Sequence, residues 1–250
     1  YCRVNFFMEN IPQIGSFEHW ESGGEIQPEH GACGIGAVLD RNRQASRRVV
    51  DLTMAGLCDM DLRGASVDGT GDGAGGMFRT AGMRNFLKRF VPAGKLIPDQ
   101  EDLHVGSVMI ARDDAVNVPY VIREMNDILV SEGGIHPVAW RTSDFPVNED
   151  ALGVRARQRL PIYAQVLFTQ GYNTKENLHS ALHNAKVAIS GRMKALHVVS
   201  LEDGTVTYKV MGTGSQCRSF FGDFADPDFI TDAAAFHTRF ATNRLSRPSL

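Results

Sequence analysis

Strand-like and helix-like segments are interleaved in this chain without strict alternation, and that pattern constrains the fold more than any single motif. Ile35, Ala37 and Leu39 alternate with Gly36, Val38 and Asp40, the period of two expected of a strand. Residues 45–62 follow at helical spacing, with Val50, Met54 and Leu57 on one face and Arg47, Arg48 and Asp51 outside it. The same reading predicts a short helix over 82–90, a strand over 105–110 and a helix over 117–132 with Pro119 in its first turn. A strand over 136–140, a strand over 161–168 and a helix over 174–193, capped by Asn173 or Thr174, come next. Residues 197–201 and 205–210 read as a hairpin over Glu202-Asp203-Gly204. A short helix over 228–236 is expected to run into a last strand over 236–240. Strand pairs that read as antiparallel argue against a doubly wound sheet and for stacked sheets covered by helices, an α+β arrangement.

Residues 1–32 have a different character. They hold five Glu, one Arg, no Lys and no Asp, with Pro12, Pro28 and a Ser22-Gly23-Gly24 turn. No period persists there, so they read as a leader: a propeptide or surface arm with only local structure. The chain opens on Tyr1 rather than Met, which reads as a fragment or trimmed form. Its first residues lack the charged and apolar regions of a secretory signal. No apolar run approaches the roughly 18 residues of a membrane span. A net charge of −3 over 250 residues gives no support to nucleic-acid or anionic-membrane partners. Cysteines at 2, 33, 58 and 217 form no C-x-x-C pair and no zinc-ligand spacing. They read as reduced thiols of a cytoplasmic protein, with Cys58 and Cys217 as packing residues.

Cys33 stands apart. It lies in His30-Gly31-Ala32-Cys33-Gly34-Ile35-Gly36, where the irregular leader meets the first strand-like segment. If the bond before it is cut, thiol and α-amine share one residue, and the amine can take the thiol's proton. A buried cysteine opening a strand is the plainer reading of the same residues. The glycine-dense stretch Gly69-Thr70-Gly71-Asp72-Gly73-Ala74-Gly75-Gly76 lacks the Gly-Lys-Ser/Thr ending of a phosphate loop. It reads as a tight backbone turn packed near another element, leading into a strand at Met77-Phe78. In His237-Thr238-Arg239-Phe240-Ala241-Thr242-Asn243 a guanidinium at a strand end is followed by Thr and Asn. Arg239, Thr242 and Asn243 together can bind a carboxylate, although a lone surface Arg is usually in an ion pair.

Taken in order, these segments resemble one family. Cys33-Gly34-Ile35-Gly36, Leu62-Arg63-Gly64-Ala65 and Thr70-Gly71-Asp72-Gly73-Ala74-Gly75 are similar to the opening of the class II glutamine amidotransferase domain of glutamate synthase. Ala139-Trp140-Arg141, Pro146-Val147, Leu152-Gly153, Pro161-Ile162-Tyr163-Ala164-Gln165-Val166 and the segment from His237 to Asn243 continue the likeness. It runs from about Ala32 to the last residue. The resemblance implies an N-terminal-nucleophile hydrolase fold, a four-layer αββα sandwich of antiparallel sheets, over 33–250, with 1–32 as the propeptide. It also implies that Cys33 is the nucleophile acting on glutamine, and that Arg239, with Thr242 and Asn243, holds the substrate α-carboxylate. In the family, the ammonia released passes through the protein to 2-oxoglutarate, with FMN and an iron–sulfur cluster in other domains; no cofactor is expected in this chain.

Two departures accompany the likeness. Thirty-two residues precede Cys33, whereas the mature family enzyme begins at its cysteine. The family's oxyanion-hole segment, a His-Asn-Gly, follows the carboxylate-binding segment, and no Asn-Gly occurs in these residues. The chain is therefore expected to be C-terminally truncated within the domain, and this piece alone to show little glutaminase activity. Three alternatives remain: a stand-alone amidotransferase subunit feeding a partner synthase, an uncleaved glutamine-binding regulatory module, or an unrelated thiol hydrolase.

Overall fold

The computed structural model describes residues 34–61, 66–67, 69–95, 97, 103–113, 115–170 and 175–238. Ten strands and six α-helices are described among them. The strands are β1 (Gly34–Leu39), β2 (Ser66–Val67), β3 (Thr70–Gly71), β4 (Ala74–Arg79), β5 (His104–Ile110), β6 (His136–Arg141), β7 (Ile162–Thr169), β8 (Leu196–Ser200), β9 (Thr205–Val210) and β10 (Ala233–Thr238). The helices are α1 (Arg47–Asp59), α2 (Arg84–Lys88), α3 (Val118–Gly133), α4 (Val154–Gln158), α5 (Lys175–Arg192) and α6 (Gly214–Phe220). Two four-stranded sheets result, with orders β1-β10-β4-β9 and β6-β7-β5-β8. Every neighbouring pair in both is antiparallel.

The helices form where apolar spacing and end chemistry agree. On α1, Val50, Met54 and Leu57 are buried against the first sheet. On α3, Pro119 occupies the first turn, Asn117 accepts from the Tyr120 amide at 3.0 Å, and Gly134 closes the helix at φ 59°. Val121, Met125, Ile128 and Leu129 of α3 meet Leu178, Leu182, Ala185 and Ile189 of α5. Together they cover one face of the second sheet, through Val108, Ile110, Ala164, Val166 and Phe168. The opposite face, with Val105, Met109, Tyr163 and Leu167, shares a core with the first sheet's Phe78, Val206, Tyr208 and Phe236. Phe220, Phe221, Phe224 and Phe229 fill the space between, ring edges against faces. Helices on two antiparallel sheets around a shared core form the expected α+β sandwich.

Three local expectations are corrected. Residues 228–236 form no helix: 228–232 are turn and irregular backbone, and Ala233, Ala234 and Ala235 lie in β10, paired to β1 on one side and β4 on the other. The ladder bonds on both sides of an interior strand outweigh alanine's helix preference. Strands β8 and β9 are joined by the short turn over Glu202–Gly204 but do not form a paired hairpin. β8 pairs with β5 of the second sheet and β9 with β4 of the first, so the turn links the two sheets. The glycine-dense stretch is only partly a turn. Gly73 is at φ 123°, yet Ala74, Gly75 and Gly76 belong to β4, between β10 and β9. A Cβ at Gly75 would stand 2.5 Å from the Tyr208 carbonyl oxygen, so only glycine fits that close approach.

Candidate active site

β1 has a polarity that fits a site at its start. Gly34, Gly36 and Val38 face the core side, whereas Ile35 and Leu39 are 78% and 71% exposed. The inward positions are small because the core leaves no room. A side chain at Gly34 would strike Met60, and one at Gly36 would enter the Phe236 ring. Gly34 opposes Thr238 in the ladder, and the Gly34 amide donates to Thr238 Oγ1 at 3.2 Å. Thr238 is buried and opposes Ala74 on its other side. The end of the first sheet is therefore Gly34, Thr238, Ala74 and Val210 in one row. Beside Ala74, the Gly73 amide donates to the Gly212 carbonyl at 3.1 Å, and Gly71 packs on the Gly212–Thr213 backbone.

Cys33, Arg239, Thr242 and Asn243 lie outside the described residues. Two of them have a described neighbour: Cys33 is bonded to Gly34 and Arg239 to Thr238, the two members of one ladder pair. One row further along, Ile35, His237, Gly75 and Lys209 share a face. Partial burial lowers the Lys209 pKa. His197 is also lowered, first by burial and then by the charges of Lys209 and Lys186. Burial at this row thus disfavours the charged form of Lys209.

Among the described residues, no group of three or more His, Cys, Asp or Glu could hold a metal ion. No described helix is long and apolar enough to cross a membrane. Cys217 is buried, and desolvation raises its pKa well above the usual thiol range. It is a packing residue, as its place in the sequence suggested; Cys58 is half-buried.

Sequence reading missed the most polar feature of the interior. Arg141, Gln165 and Ser107 form one row across β6, β7 and β5 on the face toward the shared core. Arg141 is fully buried and donates to both oxygens of buried Asp223, at 2.9 and 2.7 Å, and to Gln165 Oε1 at 2.6 Å. Tyr208, from the first sheet, donates to Asp223 at 2.7 Å. Burial alone would lower the Arg141 pKa, but the bond and charge of Asp223 leave it raised. Phe90 lies 3.7 Å from the guanidinium carbon, and Phe145 4.9 Å. Trp140-Arg141 was visible only as part of a family likeness; Asp223 is 82 residues further on and had no local signal. The network bolts the two sheets together and lies within the core.

Comparison with known proteins supplies what the covalent neighbours leave open. The family profile described as "Glutamine amidotransferases class-II" matches residues 33–250. Ferredoxin-dependent glutamate synthase 2 of Synechocystis sp. is 29% identical over 225 residues, covering 88% of this chain and 14% of that protein. The NADH glutamate synthase of Saccharomyces cerevisiae is 29% identical over 230 residues, covering 86% and 10%. The large chain of the NADPH glutamate synthase of Bacillus subtilis is 29% identical over 225 residues, covering 86% and 14%. The chain thus spans only a small part of the length of these relatives. The profile match begins at Cys33, the residue before β1, and this chain belongs to the class II glutamine amidotransferases.

Proposed function

We propose that this chain is the glutaminase part of a protein that hydrolyses glutamine to glutamate and ammonia through a thioester on Cys33. Residues 1–32 form a leader that is removed, and 33–250 form the amidotransferase domain. Cleavage before Cys33 frees its α-amine. The amine takes the thiol proton, and the sulfur attacks the side-chain amide carbon of glutamine. The tetrahedral intermediate collapses with the nitrogen leaving as ammonia, the proton coming from the ammonium. Water then attacks the thioester, the same amine serving as base, and glutamate and the free thiol are restored. Arg239 holds the substrate α-carboxylate through its planar fork, assisted by Thr242 and Asn243.

The observation that carries this reading is the Gly34–Thr238 pair. Paired Cα atoms lie about 5.5 Å apart at most, and each chain bond adds about 3.8 Å. The Cα atoms of Cys33 and Arg239 are therefore within about 13 Å of each other, a span that one glutamine and an arginine side chain can bridge. The small inward residues of β1 support the same end of the sheet.

The relatives are named as glutamate synthases, which supports delivery of the ammonia to 2-oxoglutarate by further domains or by a partner synthase subunit. FMN and an iron–sulfur cluster belong to that later step; the described residues offer no cluster of metal ligands, and no step here is routed through either group.

The test is N-terminal sequencing of the full-length protein from its natural source, with a glutaminase assay on wild type and Cys33→Ala. Full length is required because the intermediate needs oxyanion donors, whose loss costs two or more orders of magnitude. A start at Cys33, with activity lost in Cys33→Ala, is expected. A mature chain that keeps residues upstream of Cys33, and binds glutamine without turnover, would instead show an uncleaved binding module.

A further inference from the structure

We propose that Thr238 is a positioning residue for Cys33, acting through the peptide bond that joins Cys33 to Gly34. The assignment rests on Cys33 as the nucleophile. The Gly34 nitrogen is the atom bonded to the Cys33 carbonyl carbon, and its N–H donates to Thr238 Oγ1 at 3.2 Å. A peptide group is planar, so the Cys33 carbonyl and Cα share one plane with that N–H. A hydroxyl that holds the N–H therefore holds the plane from which the Cys33 amine and thiol project. Only rotation about the Cys33 Cα–C and Cα–Cβ bonds is then left to place the amine and the sulfur.

The hydroxyl is itself held. Thr238 is buried on β10, between β1 and β4, and its β-branched side chain is stiff about χ1. In the row Gly34, Thr238, Ala74 and Val210 it is the one polar side chain. The register aims the donor at it. The Asp40 amide donates to the Asp232 carbonyl at 2.8 Å, and bonded pairs recur at every second residue of an antiparallel ladder, which makes Gly34–Thr238 a bonded pair. The hydroxyl thus stands beside the Thr238 carbonyl as an acceptor for the Gly34 N–H. Among the described residues no further pair lies behind this one, because β1 begins at Gly34, so the hydroxyl stiffens an open end of the ladder. A Cβ at Gly34 would stand 3.1 Å from Thr238 Oγ1 and 2.4 Å from the sulfur of Met60, which closes α1. The residue after Cys33 is therefore held by a hydrogen bond and by packing at once.

The test uses the full-length protein with Thr238→Val, Thr238→Ser and Thr238→Ala. Valine keeps the shape of threonine without the hydroxyl; serine and alanine differ by the hydroxyl alone. One readout is steady-state glutamine hydrolysis. The other needs no turnover: the rate of Cys33 alkylation by iodoacetamide between about pH 6 and pH 9, followed by mass spectrometry. A misplaced nucleophile costs kcat, so Thr238→Val and Thr238→Ala are expected to lower kcat about 10–100-fold with KM within about threefold, and Thr238→Ser to restore it. The alkylation profile of Cys33 is expected to depart from wild type in the valine and alanine variants and to return in the serine variant. Thermal melts establish that each variant is folded; if Thr238→Val is not, the serine and alanine pair decides. Packing of the threonine methyl makes the opposite forecast, with valine equal to wild type and serine and alanine impaired alike, and that result overturns the proposal. So does a raised KM at unchanged kcat, which assigns the effect to the carboxylate side at Arg239. A wild type that hydrolyses no glutamine refutes the nucleophile reading by itself; the alkylation series still decides the hold on Cys33, and a valine profile equal to wild type overturns it.

Discussion

Asp223→Asn tests whether the two sheets are bolted by charge. The wild-type side chain accepts two bonds from fully buried Arg141 and one from Tyr208, and none of these groups has water to fall back on. Removing one charge from a buried pair costs about 3–5 kcal/mol, because the other charge is left uncompensated. For a chain of this size that corresponds to a fall in Tm of roughly 6–20 °C. Arg141→Met should cost a similar amount, since Asp223 then keeps only the Tyr208 hydroxyl. The double variant Arg141→Met with Asp223→Asn, the same two substitutions combined, leaves no buried charge. It retains a cost of about 1–3 kcal/mol for the Tyr208 hydroxyl and Gln165. It should therefore fall short of the sum of the single costs by at least about 2 kcal/mol. Urea unfolding followed by far-UV circular dichroism measures all three. A single-variant cost below about 1 kcal/mol, or strict additivity, would refute the argument.

Other consequences are simpler to check. Gly214→Ala places a Cβ against the Leu57 carbonyl where α6 crosses α1; the obstacle is backbone and cannot rotate away, so a loss of about 1–3 kcal/mol is expected in the same urea assay. Cys217 should resist a thiol reagent in the folded protein and react only after denaturation, while half-buried Cys58 reacts sooner; fast labelling of Cys217 in the native state would contradict its burial. Partial burial pushes Asp226 up, but the Arg89 bond and charge and the Asp228 amide leave its pKa below the usual carboxylate value. A depressed carboxylate stabilises the fold above its unfolded pKa and loses that contribution as pH falls through the folded value. Arg89→Gln should therefore flatten the acid limb of a stability–pH curve below about pH 4, with little change in the limb above pH 8.

The elements that local pattern could specify were legible. Val50, Met54 and Leu57 announced α1, and the spacing of Val121, Met125, Ile128 and Leu129 with Pro119 in the first turn announced α3, because spacing and end chemistry act within a few residues. Pairing partners were not legible. The turn at Glu202–Gly204 could be read, but nothing local says that β8 belongs beside β5 and β9 beside β4. β10 was hidden by its three alanines, whose propensity is overruled by two neighbouring strands. The helix α6 escaped although Thr213 and Gln216 form a reciprocal capping box, because Gly212 and Gly214 on either side of Thr213 read as loop. As for the site, Cys33 and the segment after His237 drew attention as chemistry-bearing motifs. That their strands are neighbours followed only from the ladder.

The partnership of β1 with β10 also sets a timetable. Among the described residues β1 lies at the sheet's edge, and its one ladder partner is 204 residues later in the chain, counted from Gly34 to Thr238. A ribosome adding 5–20 residues per second needs on the order of 10–40 s to cover that distance. Throughout that interval the strand that follows Cys33 has no ladder to join, and closing so long a loop carries its own entropic cost. β1, made before its partner, is thus among the last strands to be pinned. Any amide-cleaving centre built on this pair stays unassembled until β10 has been made, and the segment between the two strands is synthesised before such a hydrolase can act.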